Sequence, residues 1–311
     1  METGIFAIVL CSILFIVHMY VVGIVMTTKK WSDKRFLCLA LFLSISDAAM
    51  MVESIWHASI GGDVNASESS HYQCTILSHL TSGTILFSLL QTLFICLERL
   101  NATFATSNII LKQLTSNLAV GIGFILTHVY VSLRCGVELF DIEGNSDKPK
   151  GCDPTYSFQR EFLLFNEIPN LVFVTVITSC YIAIIVRMVK QHKKVPESDG
   201  LTDLQIQQKK QSALKMQRNV VTLSCIVAIT LCAVLPRCIY GLYFQRRPDT
   251  YTKVSSVHDA VNVFLLLNPL FDPFVYILRM KEVRDRLTFQ CFKRNNRVVG
   301  SFGNQTDPSH H

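Results

Sequence analysis

Four polar residues stand inside stretches that are otherwise oily: Asp47 in LFLSISDAAM, Ser88, and Asn268 and Asp272 in LLNPLFDPFVYILRMKEVRDRL. A charge at the centre of a membrane helix costs about 2.5–3.5 kcal/mol on insertion scales, so such acids pair with something or line water. Two unpaired acids that face each other need a shared proton or a cation between them. Asp47, Ser88, Asn268 and Asp272 together make an oxygen-rich cage suited to a small hard cation. Other chemistry lacks its residues: the chain has no CxxC or HExxH spacing, Gly-rich phosphate loop or GxSxG elbow. No nucleophile–base pair supports an enzyme.

The elements that must position this cage are long apolar blocks. Half of the 311 residues are hydrophobic and 17% are charged, with mean hydropathy +0.35; soluble domains are nearer a quarter charged. Seven segments approach the roughly 20 apolar residues that cross a bilayer: 5–27, 36–57, 75–97, 114–133, 162–189, 220–243 and 254–278. The expectation is an all-α integral membrane protein, a seven-transmembrane helix bundle.

The net charge of +6 does not point to nucleic acid, because the basic residues gather in alternate connections: Lys29 to Arg35, Arg187 to Arg218, and Lys281 to Arg297. The positive-inside rule then places the amino terminus outside and the carboxyl terminus in the cytoplasm. The sequon at Asn65 falls outside, where a glycan can be attached; those at Asn101 and Asn304 fall inside as chance matches. The first block lacks a small-residue cleavage site and reads as a retained signal anchor. Of eleven cysteines, Cys74, Cys135 and Cys152 lie near the outer side. A disulfide suits that compartment, but spacing leaves its pairing open. The polar stretch 191–219 reads as a continuation of its flanking helices around a mobile centre at 196–200.

Several spaced residues carry a family resemblance. Asp272-Pro273-Phe274-Val275-Tyr276 matches an Asn/Asp-Pro-x-x-Tyr motif, and Glu98-Arg99-Leu100 an acidic-Arg-aromatic motif. Cys74 and Ser88 stand at the family's spacings before Arg99, and Asn268 at its seventh-helix asparagine. The chain resembles the rhodopsin-like (class A) G-protein-coupled receptors over nearly its whole length. It departs from them in the first helix, with His18–Met19 where an Asn is usual, and in the fourth, which has no Trp. Ala233-Val234-Leu235-Pro236 replaces Cys-Trp-x-Pro, Leu100 replaces a Tyr, Pro169 is displaced, and the acid at the base of the sixth helix is missing.

The resemblance implies specific roles. Glu98 would hold Arg99 as a latch for the G protein, against the plainer reading of Arg99 as an interfacial anchor. Tyr276 would swing and, with Tyr181, bridge to Arg99 through water, whereas by itself it is an ordinary interfacial aromatic. Pro269 and Pro273 would loosen the last span. Asp47, Ser88, Asn268 and Asp272 would hold sodium, and Cys74 would pair with Cys152, Cys135 being the rival. The stretch 281–292 reads as an amphipathic membrane-surface helix, with Cys291 a palmitoylation candidate. It completes a receptor domain over 1–292, and 293–311 is a disordered cytoplasmic tail.

For the ligand, the missing seventh-helix lysine argues against retinal, and the absence of any acid in 75–97 argues against a biogenic amine. Pocket candidates are Glu53, His57, Thr81, Asn170, Arg237, His258, Asp259 and Asn262. Arg237 favours a carboxylate or phosphate, unless it pairs with Glu53 or Asp259. The expected function is a plasma-membrane receptor that binds an extracellular peptide or small molecule and activates a heterotrimeric G protein. The competing one is an ion-coupled transporter or channel built on Asp47 and Asp272.

Overall fold

A computed structural model describes residues 2–28, 35–60, 68–104, 108–144, 160–193, 203–246, 261 and 263–279. Helices form its framework, and among the described residues there is no strand. In chain order they are α1 (Glu2–Met26), α2 (Arg35–Ile60), α3 (Glu68–Ala102), α4 (Ile109–Leu114), α5 (Asn117–Gly144), α6 (Arg160–Lys193), α7 (Asp203–Arg246) and α8 (Leu267–Arg279). Six of them, α1, α2, α3, α5, α6 and α7, are long and apolar enough to cross a membrane. The described part of the seventh expected segment, residue 261 and 263–278, holds a short helical piece at 263–265 and the 13-residue α8, and its apolar stretch Val263–Val275 is shorter than a crossing requires. The stretch 281–292 and the tail lie outside the described residues.

The bilayer decides why these sequences are helical. The Ile- and Val-rich run of α1 would favour strand in water, but hydrocarbon offers backbone groups no partner, and a helix satisfies them within one segment. Serine and threonine hydroxyls close locally as well: Ser12 donates to the Ile8 carbonyl at 2.7 Å and Thr127 to that of Gly123 at 2.8 Å. α1 is apolar all round yet has two faces. Ile5, Phe6, Val9, Ile13 and Ile16 are exposed at helical spacing, while Cys11, Leu14, His18, Val21 and Val25 are buried.

The long helix α3 runs through the middle, packed on α2, α5, α6 and α7. Glycines admit α5 closely: a Cβ at Gly123 would lie 2.7 Å from Leu90 Cδ2, and one at Gly83 3.0 Å from Val131 Cγ2. Small residues at such crossings let membrane helices approach. α8 closes the bundle by touching α1, α2 and α7. The fourth span begins later than expected. Residues 109–114 form the separate α4, capped by Asn108 Oδ1, which accepts from the amides of Ile110 and Leu111, and α5 starts at Asn117.

Three helices contain an internal proline: Pro169 in α6, Pro236 in α7 and Pro273 in α8. Each lacks an N–H, so the carbonyl four residues earlier loses its helical donor. Those carbonyls belong to Phe165, Cys232 and Pro269. The Tyr130 hydroxyl of α5 donates to the Phe165 carbonyl.

Candidate functional site

The carbonyl of Pro269 receives its replacement donor from α1. His18, fully buried, places Nε2 2.7 Å from it. With Nε2 donating, the other ring nitrogen carries the lone pair, and Nδ1 lies 3.8 Å from Asp47 Oδ2 on α2. Asp47 and Asp272 are each 2% exposed, and their carboxyl groups lie within hydrogen-bonding reach of each other. Their Oδ2 atoms are buried without a hydrogen-bond partner. Nearby, Asn268 Nδ2 donates to Ser88 Oγ at 3.1 Å, and Thr230 Oγ1 approaches Asn268 Oδ1 at 3.4 Å. α1, α2, α3, α7 and α8 therefore each supply a polar side chain to one cluster.

A cavity of ≈ 20 Å³ is lined by Asp47, Thr84, Ser88 and Asn268 with Met50, Ile85, Leu89, Ala233, Val234 and Leu265; Asp272 stands behind Asp47 rather than in the lining. About 10–15 Å³ is enough for one water, so the space suits a single water or a small ion. The oxygen-bearing side chains around it, with the Asp47 carboxylate among them and that of Asp272 beside Asp47, fit a hard cation. Asp47, Asp272, Ser88 and Asn268 are the residues that would hold sodium, which would supply the positive charge that the two acids lack.

At one end of the bundle Glu98 Oε1 lies 4.0 Å from Arg99 Nη2, both side chains about one-fifth exposed. Tyr181 hydrogen-bonds Ser224 Oγ at 2.7 Å, which ties α6 to α7. The Arg187 guanidinium of α6 stacks 3.7 Å from the ring centroid of Phe104, just beyond α3. Pro273 is buried inside α8. Tyr276 lies on α8, and its side chain lies outside the described residues. The Asn101 sequon has a structural role, since Asn101 Oδ1 accepts from the Asn108 amide at 2.9 Å.

At the opposite end the expected pocket residues separate into two groups. Glu53 on α2 accepts from Thr84 Oγ1 at 2.9 Å, while its Oε2 is buried without a partner; Thr81 on α3 lies close by. Arg237 on α7 pairs instead with Glu167 on α6, Nε to Oε1 at 3.4 Å. Glu167 is a partner that the sequence did not suggest, brought there because α7 packs against α6; the expected partner Asp259 lies outside the described residues. Asn170, one turn from Glu167, is 2% exposed and its Oδ1 has no partner. His258, Asp259 and Asn262 lie outside the described residues, as do Asn65, Cys152 and Cys291. Cys74 is buried and disulfide-bonded, its partner lying outside the described residues, whereas Cys135 is a free thiol.

Sequence reasoning missed two arrangements here. Glu167 was legible as an acid in an apolar block, by the argument that singled out Asp47. The second is a buried relay between α3 and α5. Arg134 Nε donates to His79 Nδ1 at 2.9 Å, so His79 presents its Nε2 hydrogen to Glu138. Arg134 and Glu138 stand four apart on α5, a spacing that aligns charges on one helical face. His18 was noticed only as a departure from the family pattern, although a buried histidine in a membrane helix is itself a signal. No family model matches the chain, and no curated protein is found to be similar to it.

Proposed function

We propose that this chain is a seven-helix receptor of the plasma membrane, with its amino terminus outside, that binds an extracellular ligand and activates a heterotrimeric G protein. The observation that carries this reading is the convergence of Asp47, Ser88, Asn268 and Asp272, distant in sequence, into one buried cluster. Those are residues on which the resemblance rests, and Arg99 lies beside Glu98 farther along the same central helix. In the resting state sodium sits between the acids, Glu98 restrains Arg99, and the missing acid at the base of α7 keeps that restraint weak. On activation the cage contracts, and Tyr181 leaves Ser224 to meet Arg99 together with Tyr276.

Residues 254–278 form the seventh span, followed by the surface helix 281–292 with Cys291 as its acylation site and a glycan at Asn65 on the opposite side. The bound state of Cys74 and the free thiol of Cys135 favour Cys152 as the disulfide partner. The ligand pocket lies at the Glu53 end. Because Glu167 already balances Arg237, a ligand gains less there from carboxylate chemistry alone than a bare guanidinium would offer.

The buried acids and His18 also suit an ion-coupled transporter or channel, in which intramembrane ionisable residues mark the path. One experiment separates the two. Cells expressing the parent or Arg99→Ala are screened for G-protein activation against peptide and metabolite libraries, with ion flux recorded in parallel. The receptor reading expects a G-protein response that Arg99→Ala abolishes at unchanged surface expression. Ion flux with no G-protein response replaces it with the transporter.

A further inference from the structure

Thr84 on α3 belongs to two arrangements at once. It lines the ≈ 20 Å³ cavity with Asp47, Ser88 and Asn268, and its hydroxyl donates to Glu53 Oε1 on α2 at 2.9 Å. The same hydroxyl has a second acceptor in range, the Leu80 carbonyl at 3.2 Å. A hydroxyl carries one hydrogen and two lone pairs. It can therefore turn that hydrogen to Leu80 and offer its oxygen on the Glu53 side without losing a hydrogen bond. The other oxygen of Glu53, Oε2, is buried and has no hydrogen-bond partner. Glu53 stands six residues beyond Asp47 on α2, a rise of roughly 9 Å. Thr84 stands one turn beyond Ser88 on α3, and both steps lead away from the Arg99 end of the bundle. Ser46 Oγ donates to the Thr84 carbonyl at 3.3 Å and ties the two helices at this level.

We propose that Glu53 and Thr84 form an outer cation station, from which a small alkali cation passes along the α2–α3 seam into the cavity beside Asp47. An acid inside an apolar span is costly and marks a path for ions where it lines one. The seam offers oxygen at successive levels: Glu53 with Thr84, then Thr84 with Asp47 and Ser88. A cation stepping between such levels exchanges its ligands a few at a time, and binding that is divided among weak sites allows both entry and release. Carboxylate and hydroxyl oxygens are hard donors, which suit an alkali ion and not a soft metal. Thr84 is the shared member, because its hydroxyl serves Glu53 and its side chain forms part of the cavity wall. On the topology proposed above, Glu53 lies on the extracellular side. The inference rests on the reading that the Asp47 cavity takes a cation, and it applies to a receptor and a transporter alike.

The test uses the full chain in phosphatidylcholine nanodiscs, with sodium as the probe and N-methylglucamine as the replacing cation. Sodium-NMR relaxation, followed against sodium concentration, yields the dissociation constant and the exchange rate of the bound ion, and hence its rate of capture. Each variant is compared at saturating sodium, where the bound amount shows that the inner cavity has survived. Glu53→Gln should slow capture about tenfold, the lower end of what a fixed charge at the mouth of a cleft contributes. Thr84→Val, which keeps every charge but removes the shared hydroxyl, should slow it as well, and Thr84→Ser should restore the parent rate. No saturable sodium in the parent, or binding that survives in Asp47→Asn, defeats the cavity reading and this proposal with it. Binding that Asp47→Asn abolishes but Glu53→Gln captures at the parent rate overturns the outer station alone. So does slow capture in Glu53→Gln with parent rates in both Thr84 variants, because Glu53 then acts through its field and not as a step on the path.

Discussion

The buried polar groups around Asp47 and those around His79 and Glu167 lie in the same bundle but close their hydrogen bonds differently. In the second region charges meet opposite charges: Arg134 and Glu138 grip His79 from both sides, and Glu167 holds Arg237. Both regions keep orphaned buried polar atoms, but around Asp47 acid faces acid, and His18 Nδ1, 3.8 Å from Asp47 Oδ2, has no hydrogen-bond partner. A polar cluster whose charges balance ties helices together. One that lacks a positive charge in a low-dielectric setting is built to take up an ion or a proton, and its energy changes when it does.

Breaking the balanced side should cost the most. Glu167→Gln leaves Arg237 beside an uncharged partner, and removing one member of a buried pair typically costs about 3–5 kcal/mol. A marked fall in the melting temperature of the purified protein is expected, with Glu167→Gln/Arg237→Gln recovering most of the loss. A double variant no more stable than the single one would show that the pair does not act as a unit.

His18→Leu comes next. It fills similar space but strips the donor from the Pro269 carbonyl, an orphaned buried acceptor worth about 1–3 kcal/mol. Thermal unfolding should show that loss, and His18→Asn, which keeps an N–H, should restore part of it. Equal stability of the Leu variant would mean that the carbonyl finds another donor.

Tyr130→Phe makes the matching change at the carbonyl freed by Pro169. The Phe165 side is exposed, so the loss should be smaller, about 0.5–1.5 kcal/mol. A larger effect than that of His18→Leu would reverse the ranking of the two regions.

These ranks could not have been read from the chain alone. The apolar blocks announced the spanning helices, because the requirement of hydrocarbon is one of length and composition. Asp47, Asp272, Ser88 and Asn268 were legible for the same reason, as oxygen where oil was expected. Which face of α1 turns inward was not, since both faces are apolar and only His18 marks the buried one. Pairings between helices were equally hidden. Arg237 meets Glu167 because α6 and α7 pack together, and nothing in the spacing of positions 167 and 237 says so. The start of α5 depended on local capping at Asn108 and Ser116, whose hydroxyl accepts the Ala119 amide at 3.2 Å, a detail finer than hydropathy.

The unbalanced side is expected to change least in stability on Asp47→Asn, which removes a desolvated charge and keeps a hydrogen-bonding side chain, and to change most in its response to ions. The most direct test measures guanine-nucleotide exchange on a co-reconstituted G protein while sodium chloride replaces N-methylglucamine chloride at constant ionic strength. Sodium should lower basal exchange by the parent, with a coupling of about 1–3 kcal/mol, and leave the Asp47→Asn variant indifferent. Exchange that ignores sodium in the parent, or falls equally in both proteins, would contradict an ion held between Asp47 and Asp272.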